Sequence, residues 1–317
     1  MGSNKLNAPV LFLVFNRPDT ALRVFGEIRK AKPKRLYVAC DGPRVNRADD
    51  VLNVGKVRGI VENVDWDCDV KYLFRKENLG CGRAVSEAIT WFFEHEEMGI
   101  ILEDDCLPDQ SFFPYCEELL KKYKGNEKIM MISGDNYQYN GGIKVKESYF
   151  FSKYSHIWGW ATWRRAWNKF DLNVKKWPLI KGNKLPKDFF DSKQEEKYFS
   201  KAFDLIYLNP TFTWDIQWLF TCWYNKGLSV YPNKNLVKNI GFEGQYTNTL
   251  IKKKFILETP LESMGEIVHP KSIFRNIEAD KFTFNRWFKK SSSKIIFELL
   301  PLSVQRLVRK IYSRFLR

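Results

Sequence analysis

Met98-Gly-Ile-Ile-Leu-Glu-Asp-Asp-Cys-Leu-Pro-Asp109 is the stretch whose reading decides the fold. Gly99 to Leu102 is a short apolar run, the pattern of a strand covered on both faces. It ends in three consecutive carboxylates, Glu103, Asp104 and Asp105. Pro108 closes the segment, and Gln110 to Tyr123 reads as a helix. Acids placed side by side repel unless something offsets their charge. In open α/β sheets, ligands sit at the carboxyl ends of strands. Hard cations such as Mg²⁺ or Mn²⁺ take carboxylate oxygens and share them with phosphates. Taken alone, the stretch fits both a metal–diphosphate site and a solvated acidic turn.

The sequence before it alternates strand and helix. Pro9 to Phe15 is a continuous apolar run, as expected of a central strand. Asn16 to Thr20 breaks it, and Leu22, Phe25 and Ile28 follow at helical spacing. Arg35 to Cys40 reads as a second strand, Ala48 to Val64 as a weaker helix and Val70 to Phe74 as a third strand. Gly80 to Glu96 is an amphipathic helix. This alternation predicts a mostly parallel sheet with helices on both faces. Neither GxGxxG nor GxxxxGK[ST] follows the first strand, which disfavours a dinucleotide-binding enzyme and excludes a P-loop.

The second half is more aromatic. Lys128 to Ser133, Ser148 to Ser152 and Ser229 to Tyr231 read as short strands. His156 to Trp167 is expected to turn into a helix, Leu172 to Phe189 to be mainly loop, and Glu195 to Leu208 and Thr213 to Asn225 to be helices. The expected division is one domain over 1–270, with an alternating α/β half at 8–125 and an aromatic-rich half at 126–270, followed by a basic tail at 271–317.

Net charge is +15, and the tail from Lys271 supplies twelve Lys/Arg against three Asp/Glu. Such a tail asks for an anionic partner. Val304, Leu307, Val308, Ile311 and Phe315 share one helical face with basic residues around them. Phe284, Trp287 and Phe288 stand upstream among Arg286, Lys289 and Lys290. The combination suits a helix lying on an anionic membrane surface, and no nucleic-acid partner is expected. Six cysteines show no CxxC pair and no zinc spacing, so they read as free thiols of a reducing compartment. No signal-peptide pattern is seen, and no window reaches the roughly 18 apolar residues that span a bilayer. The expected location is the cytoplasm, peripheral on the inner face of the cell membrane.

Four segments together resemble a known family: LVFNRP after the first strand, ACDGPR after the second, ENLGCGRA opening a helix, and GIILEDDCLPDQSFFPY. They are similar to the GT-A nucleotide-sugar glycosyltransferases, nearest to N-acetylglucosaminyltransferase I and related bacterial sugar transferases. The likeness runs over roughly residues 8 to 250 and is most specific in the first 120. It implies a GT-A, Rossmann-like α/β catalytic domain, with a nucleotide-sugar-binding half at 8–125 and an acceptor half at 126–270, and a DxD element in which Asp105 holds Mn²⁺ (or Mg²⁺) on the donor diphosphate. Glu103 and Asp104 would then lie toward sugar and ribose, with Arg17 and Asp41 at the uracil. Arg83 and Trp160, within ENLGCGRA and SHIWGWATW, are carried to the donor pocket by the same likeness.

FTWDIQW resembles the family's Trp-Asp element and makes Asp215 the catalytic base. The implied activity is inverting transfer from a UDP-sugar to a hydroxyl of a glycan or lipid-linked glycan, in bacterial surface polysaccharide assembly. Asn248 stands where a third metal ligand, a His, is sought, which leaves His269, water, or Asp105 with the phosphates alone. Two alternatives remain: a sugar-1-phosphate nucleotidyltransferase, and a non-enzymatic basic membrane- or nucleic-acid-binding protein.

Overall fold

The computed structural model describes residues 5–182, 189–243 and 258–289. Its centre is an eight-stranded sheet of order β3-β2-β1-β4-β8-β6-β9-β7. The first four strands are β1 (Val10–Val14), β2 (Arg35–Cys40), β3 (Asp69–Phe74) and β4 (Met98–Glu103). All pair in parallel. Beyond β4 come β6 (Ile129–Ser133), β7 (Tyr149–Ser152), β8 (Trp160–Trp163) and β9 (Leu228–Pro232). Strand β8 is antiparallel to both β4 and β6, and β7 is antiparallel to β9, which runs parallel to β6. Six strands therefore run one way and two run back. This is the expected α/β, Rossmann-like architecture with a mainly parallel sheet. A two-stranded antiparallel ribbon, β5 (Cys106–Pro108) with β10 (Val237–Asn239), stands outside it.

The apolar runs are continuous because both sheet faces are covered. Val10, Phe12 and Val14 enter one core with Ile100 and Leu102. Leu11, Leu13 and Ile101 enter the other. Helices α1 (Pro18–Ala31), α2 (Ala48–Glu62) and α4 (Phe112–Lys122) supply side chains to the first core. Helices α3 (Cys81–His95), α7 (Lys193–Leu208) and α8 (Asp215–Tyr224) supply the second. Between α4 and α7 lie the short α5 (Arg164–Trp167) and α6 (Trp177–Gly182). Helix α1 begins with Pro18 at its first turn, carries Asp19 there and Arg29 and Lys30 at its end, an order that suits the helix dipole.

Two expectations are corrected. His156 to Trp167 contributes strand β8 before a single helical turn. Trp160 faces the second core while Ala161 and Trp163 face the first, a period of two that apolarity on both faces conceals. Phe284, Trp287 and Phe288 pack on the domain instead of forming an exposed apolar face. They form a π-helical turn (Phe284–Phe288) after α9 (Ile277–Thr283), the last helix among the described residues. Phe284 and Trp287 are buried, Trp287 stacks on Tyr137 with ring centroids 3.8 Å apart, and Phe288 packs on Phe199 at 5.0 Å. Asp280, also buried, accepts from Ser152 Oγ and pairs with Arg275, which joins this segment to β7. The amphipathic stretch from Val304 lies outside the described residues. None of the described helices is long and apolar enough to cross a membrane, and all six cysteines are free.

Gly99 lets β4 lie against its neighbours. A Cβ there would collide with the Phe92 ring and sit 2.9 Å from the Pro9 carbonyl oxygen. Gly99→Ala is expected to lower unfolding stability by about 1–3 kcal/mol through overpacking, read by chemical denaturation.

Candidate functional site

The strand order reverses at β1: the chain steps outward from β1 to β2 and β3, then crosses back to place β4 on the other side of β1. A crevice at the carboxyl ends of the strands is expected there. A cavity of about 580 Å³ occupies it, lined by the chain that leaves β1 (Phe15, Asn16, Arg17), β2 (Asp41, Arg44, Arg47) and β4 (Glu103, Asp104, Asp105). Arg75, just after β3, Asp49 of α2, and Gly80 and Cys81, at the start of α3, also line it.

Glu103 pairs in register with Leu13 and continues the face of Ile101, which belongs to the second core. Asp104 is buried, and its Oδ2 accepts the Phe15 amide at 3.0 Å. Asp105 Oδ2 accepts from Arg17 Nη1 at 2.6 Å, with Asp104 Oδ1 at 3.8 Å from the same nitrogen. The Asp105 carbonyl accepts the Ile240 amide at 2.8 Å. Gly241 packs on the Asp105 carboxylate so closely that a Cβ would strike Oδ2. The β5–β10 ribbon therefore holds the acidic stretch from behind.

The electrostatics follow from this crowding. Burial, then the fields of Asp105, Asp104 and Asp215, push the Glu103 acid well above the usual carboxylate range. Glu103 Oε1 is buried and has no hydrogen-bond partner. Burial and Asp105 push Asp104 up to about 7, against the pull of Arg17. For Arg17, burial works against the charge, yet Asp104 and Asp105 hold it above its ordinary value. One guanidinium thus faces more negative charge than it can neutralise. The donor set is carboxylate oxygen, the chemistry that suits Mg²⁺ or Mn²⁺, and the Glu103 Oε1 atom is a buried polar atom left without a hydrogen-bond partner. The residues fit a hard cation on Asp105. Among the described residues, no three His, Cys, Asp or Glu side chains form a ready cage. Most of its ligands would then come from a bound phosphate group and water.

The structure brings together Arg17, Asp41, Glu103, Asp104 and Asp105. Asp41 lines the cavity, but its carboxylate is used: it accepts from the Gly42, Leu79 and Gly80 amides and from Asn78 Nδ2 at 2.9–3.1 Å. It fastens the loop after β2 to the loop before α3. Asp215 opens α8 outside the lining of the cavity, accepts from Thr213 Oγ1, and lies near enough for its charge to act on Glu103 and on Cys81. The contact of Gly82 with the Thr211 backbone sets this turn against the start of α3.

Two carried-over residues are not brought in. Trp160 is fully buried and stacks on Trp214 at 5.6 Å, so it supports the residue before Asp215 rather than meeting a ligand. Arg83 is half-exposed, pairs with Glu87 at 3.1 Å and does not line the cavity. His269 has both ring nitrogens engaged, with Tyr149 and Glu118. Asn248 lies outside the described residues. Sequence reasoning missed Arg44, Arg47 and Arg75. Each closely follows a parallel strand, the same signal that singled out Arg17.

Arg44 is held by Asp50, a fully buried carboxylate on α2. Asp50 takes Arg44 Nε and Nη2 at 2.5 and 2.8 Å and Asn16 Nδ2 at 2.6 Å, and Arg44 draws its acid down to about 2. A depressed folded-state value stabilises the fold above the ordinary aspartate range and is lost as pH falls toward 2. Asp50→Asn is expected to lower stability at pH 7 by about 1.5–3 kcal/mol in denaturant titrations. It should also flatten the acid limb of stability between about pH 4 and pH 2.

No protein-family model matches the chain, and no curated protein matches it. Among solved structures the chain is similar to HddC from Yersinia pseudotuberculosis, at 9% identity and a TM-score of 0.30 over 50% of this chain and 77% of that one. The same protein complexed with GMP-PN gives 10%, 0.30, 50% and 77%. UDP-glucose pyrophosphorylase complexed with UDP-glucose gives 11%, 0.31, 51% and 78%. Likenesses this remote assign no activity.

Proposed function

We propose that this protein is an inverting, metal-dependent glycosyltransferase that moves a sugar from a nucleotide sugar, UDP-linked, to a hydroxyl of a glycan or lipid-linked glycan. The observation that carries the reading is the cavity at the ends of β1, β2 and β4, lined by four arginines and by five carboxylates, three of them consecutive at the end of β4. Arginine suits phosphate oxygens, and clustered carboxylates suit a cation that bridges them. The volume of about 580 Å³ lies in the range of ligand pockets for molecules of this size.

Asp105 would hold Mn²⁺ or Mg²⁺, with Asp104 beside it. The cation supplies neutralisation of the charge that grows on the departing diphosphate. Arg17, Arg44, Arg47 and Arg75 bind and orient the phosphates. Asp215 is positioned by Thr213 and by the buried Trp214, and takes the proton of the attacking acceptor hydroxyl. The acceptor half, and a membrane-bound location through the stretch from Val304, extend this reading from the sequence.

A sugar-1-phosphate nucleotidyltransferase is the second reading. The four arginines favour it as well, because a nucleoside triphosphate brings more phosphate charge. The activities separate on product: pyrophosphate from a triphosphate plus a sugar-1-phosphate, or nucleoside diphosphate from a nucleotide sugar.

Asp215→Asn is expected to leave donor binding within about twofold and to cut transfer by at least about 10²-fold, since general-base catalysis contributes about that much. Near-normal transfer would remove Asp215 as the base. Asp105→Asn is expected to abolish Mn²⁺-dependent UDP binding in calorimetry. Unchanged binding would overturn the metal assignment.

A further inference from the structure

Arg17 sits where a base recogniser is expected, yet its guanidinium is committed elsewhere. Its one side-chain hydrogen bond among the described residues goes to Asp105 Oδ2, the carboxylate best placed for a cation. The other Asp105 oxygen has only the Cys106 thiol, at 3.5 Å. A divalent cation on Asp105 would therefore meet a guanidinium already bound to that carboxylate. Two cations at such short range repel strongly in a partly buried site.

The local fold leaves Arg17 room to yield. It is the residue before Pro18, at the start of α1, and its backbone is fixed by the Ala21 amide and Thr20 Oγ1, both bonded to the Arg17 carbonyl. Its side chain is 30% exposed to the cavity, so it can move without disturbing the helix. The acidic stretch, in contrast, is held: Asp104 by the Phe15 amide, and Asp105 by Ile240 and Gly241.

We propose that Arg17 is an exchangeable counter-ion: it neutralises Asp105 in the free enzyme, yields that carboxylate to the divalent cation, and moves onto the diphosphate that arrives with it. This rests on the glycosyltransferase reading of the same cavity and adds a thermodynamic consequence. The cation alone has to displace Arg17 without offering it a new partner, so it binds weakly. The diphosphate supplies that partner, so cation and nucleotide bind with positive coupling. Joint binding of donor and metal follows from one side chain.

The test is Mn²⁺ binding by the intact protein, read from the electron paramagnetic resonance of free Mn²⁺, with and without UDP. Arg17→Met removes the competing charge. It is expected to tighten Mn²⁺ binding in the absence of nucleotide by at least about fivefold, and to shrink the gain that UDP brings to Mn²⁺ affinity by a similar factor. Arg17→Gln, which keeps a polar side chain, is expected to do the same and serves if the Met variant folds poorly. If both variants bind Mn²⁺ alone no tighter than the wild type, while wild type with UDP binds it well, the exchange is wrong and the metal site stands. If wild type with UDP binds no Mn²⁺, the metal reading fails, and this proposal with it.

Discussion

Everything at this site depends on one imbalance of charge. Strand β4 delivers Glu103, Asp104 and Asp105 to a partly buried crevice, and a single guanidinium, Arg17, meets them. A folded protein tolerates such crowding only where the charge is offset or the acids give up ionisation. Both occur here. Arg17 holds Asp105, the Phe15 amide holds Asp104, and burial with neighbouring acids drives Glu103 toward its neutral form. The fold keeps the acids in place from two directions, through the pleat of the parallel sheet and through the β5–β10 ribbon. A sequence that needed only stability would place apolar residues at these positions. The retained charge is what makes a ligand-binding function the economical explanation.

The two sheet faces divide the work. On one side α1 and α2 pack with the loops that carry Arg17, Arg44 and Arg47, and Asp50 ties the ends of β1 and β2 together by gripping Asn16 and Arg44. On the other side, Trp160, Trp167, Trp214 and Trp218 form a stack with ring centroids 5.3–6.3 Å apart. This mass fixes the start of α8 and so Asp215. The aromatic richness of the chain is therefore mostly scaffold for an acid, with few rings left to meet a ligand.

The parallel half was legible because its signals are local. Continuous apolar runs ended by Asn16-Arg17-Pro18, Asp41-Gly42-Pro43 and Glu103-Asp104-Asp105 place strands and the loops beyond them, and β2 matches residue for residue. The second half was harder. Strand β8 lies between two cores, so its alternation vanishes among tryptophans, and β10 is three residues long. Burial of Phe284 and Trp287 depends on contacts with Tyr137 and Phe199, more than 80 residues away in the chain. Site residues behaved likewise. Residue type and strand position singled out Arg17 and the acids Glu103 to Asp105, and the family resemblance chose Asp105 among them. Whether Asp41 is free or saturated, and whether Trp160 faces a ligand or a core, is set by partners that no local pattern names.

The central claim is that the crevice at the ends of β1, β2 and β4 binds a nucleotide sugar together with a divalent cation. A ligand that binds only the folded state raises the unfolding temperature, by an amount that grows with the logarithm of its concentration relative to its dissociation constant. The direct measurement is a thermal-unfolding screen of nucleoside diphosphates and nucleotide sugars, each with and without Mn²⁺. The account predicts a rise for uridine diphosphate and a UDP-sugar that requires Mn²⁺ and disappears in Asp105→Asn. A screen in which no nucleotide shifts the transition, or in which the shift is the same with and without the cation, would contradict it.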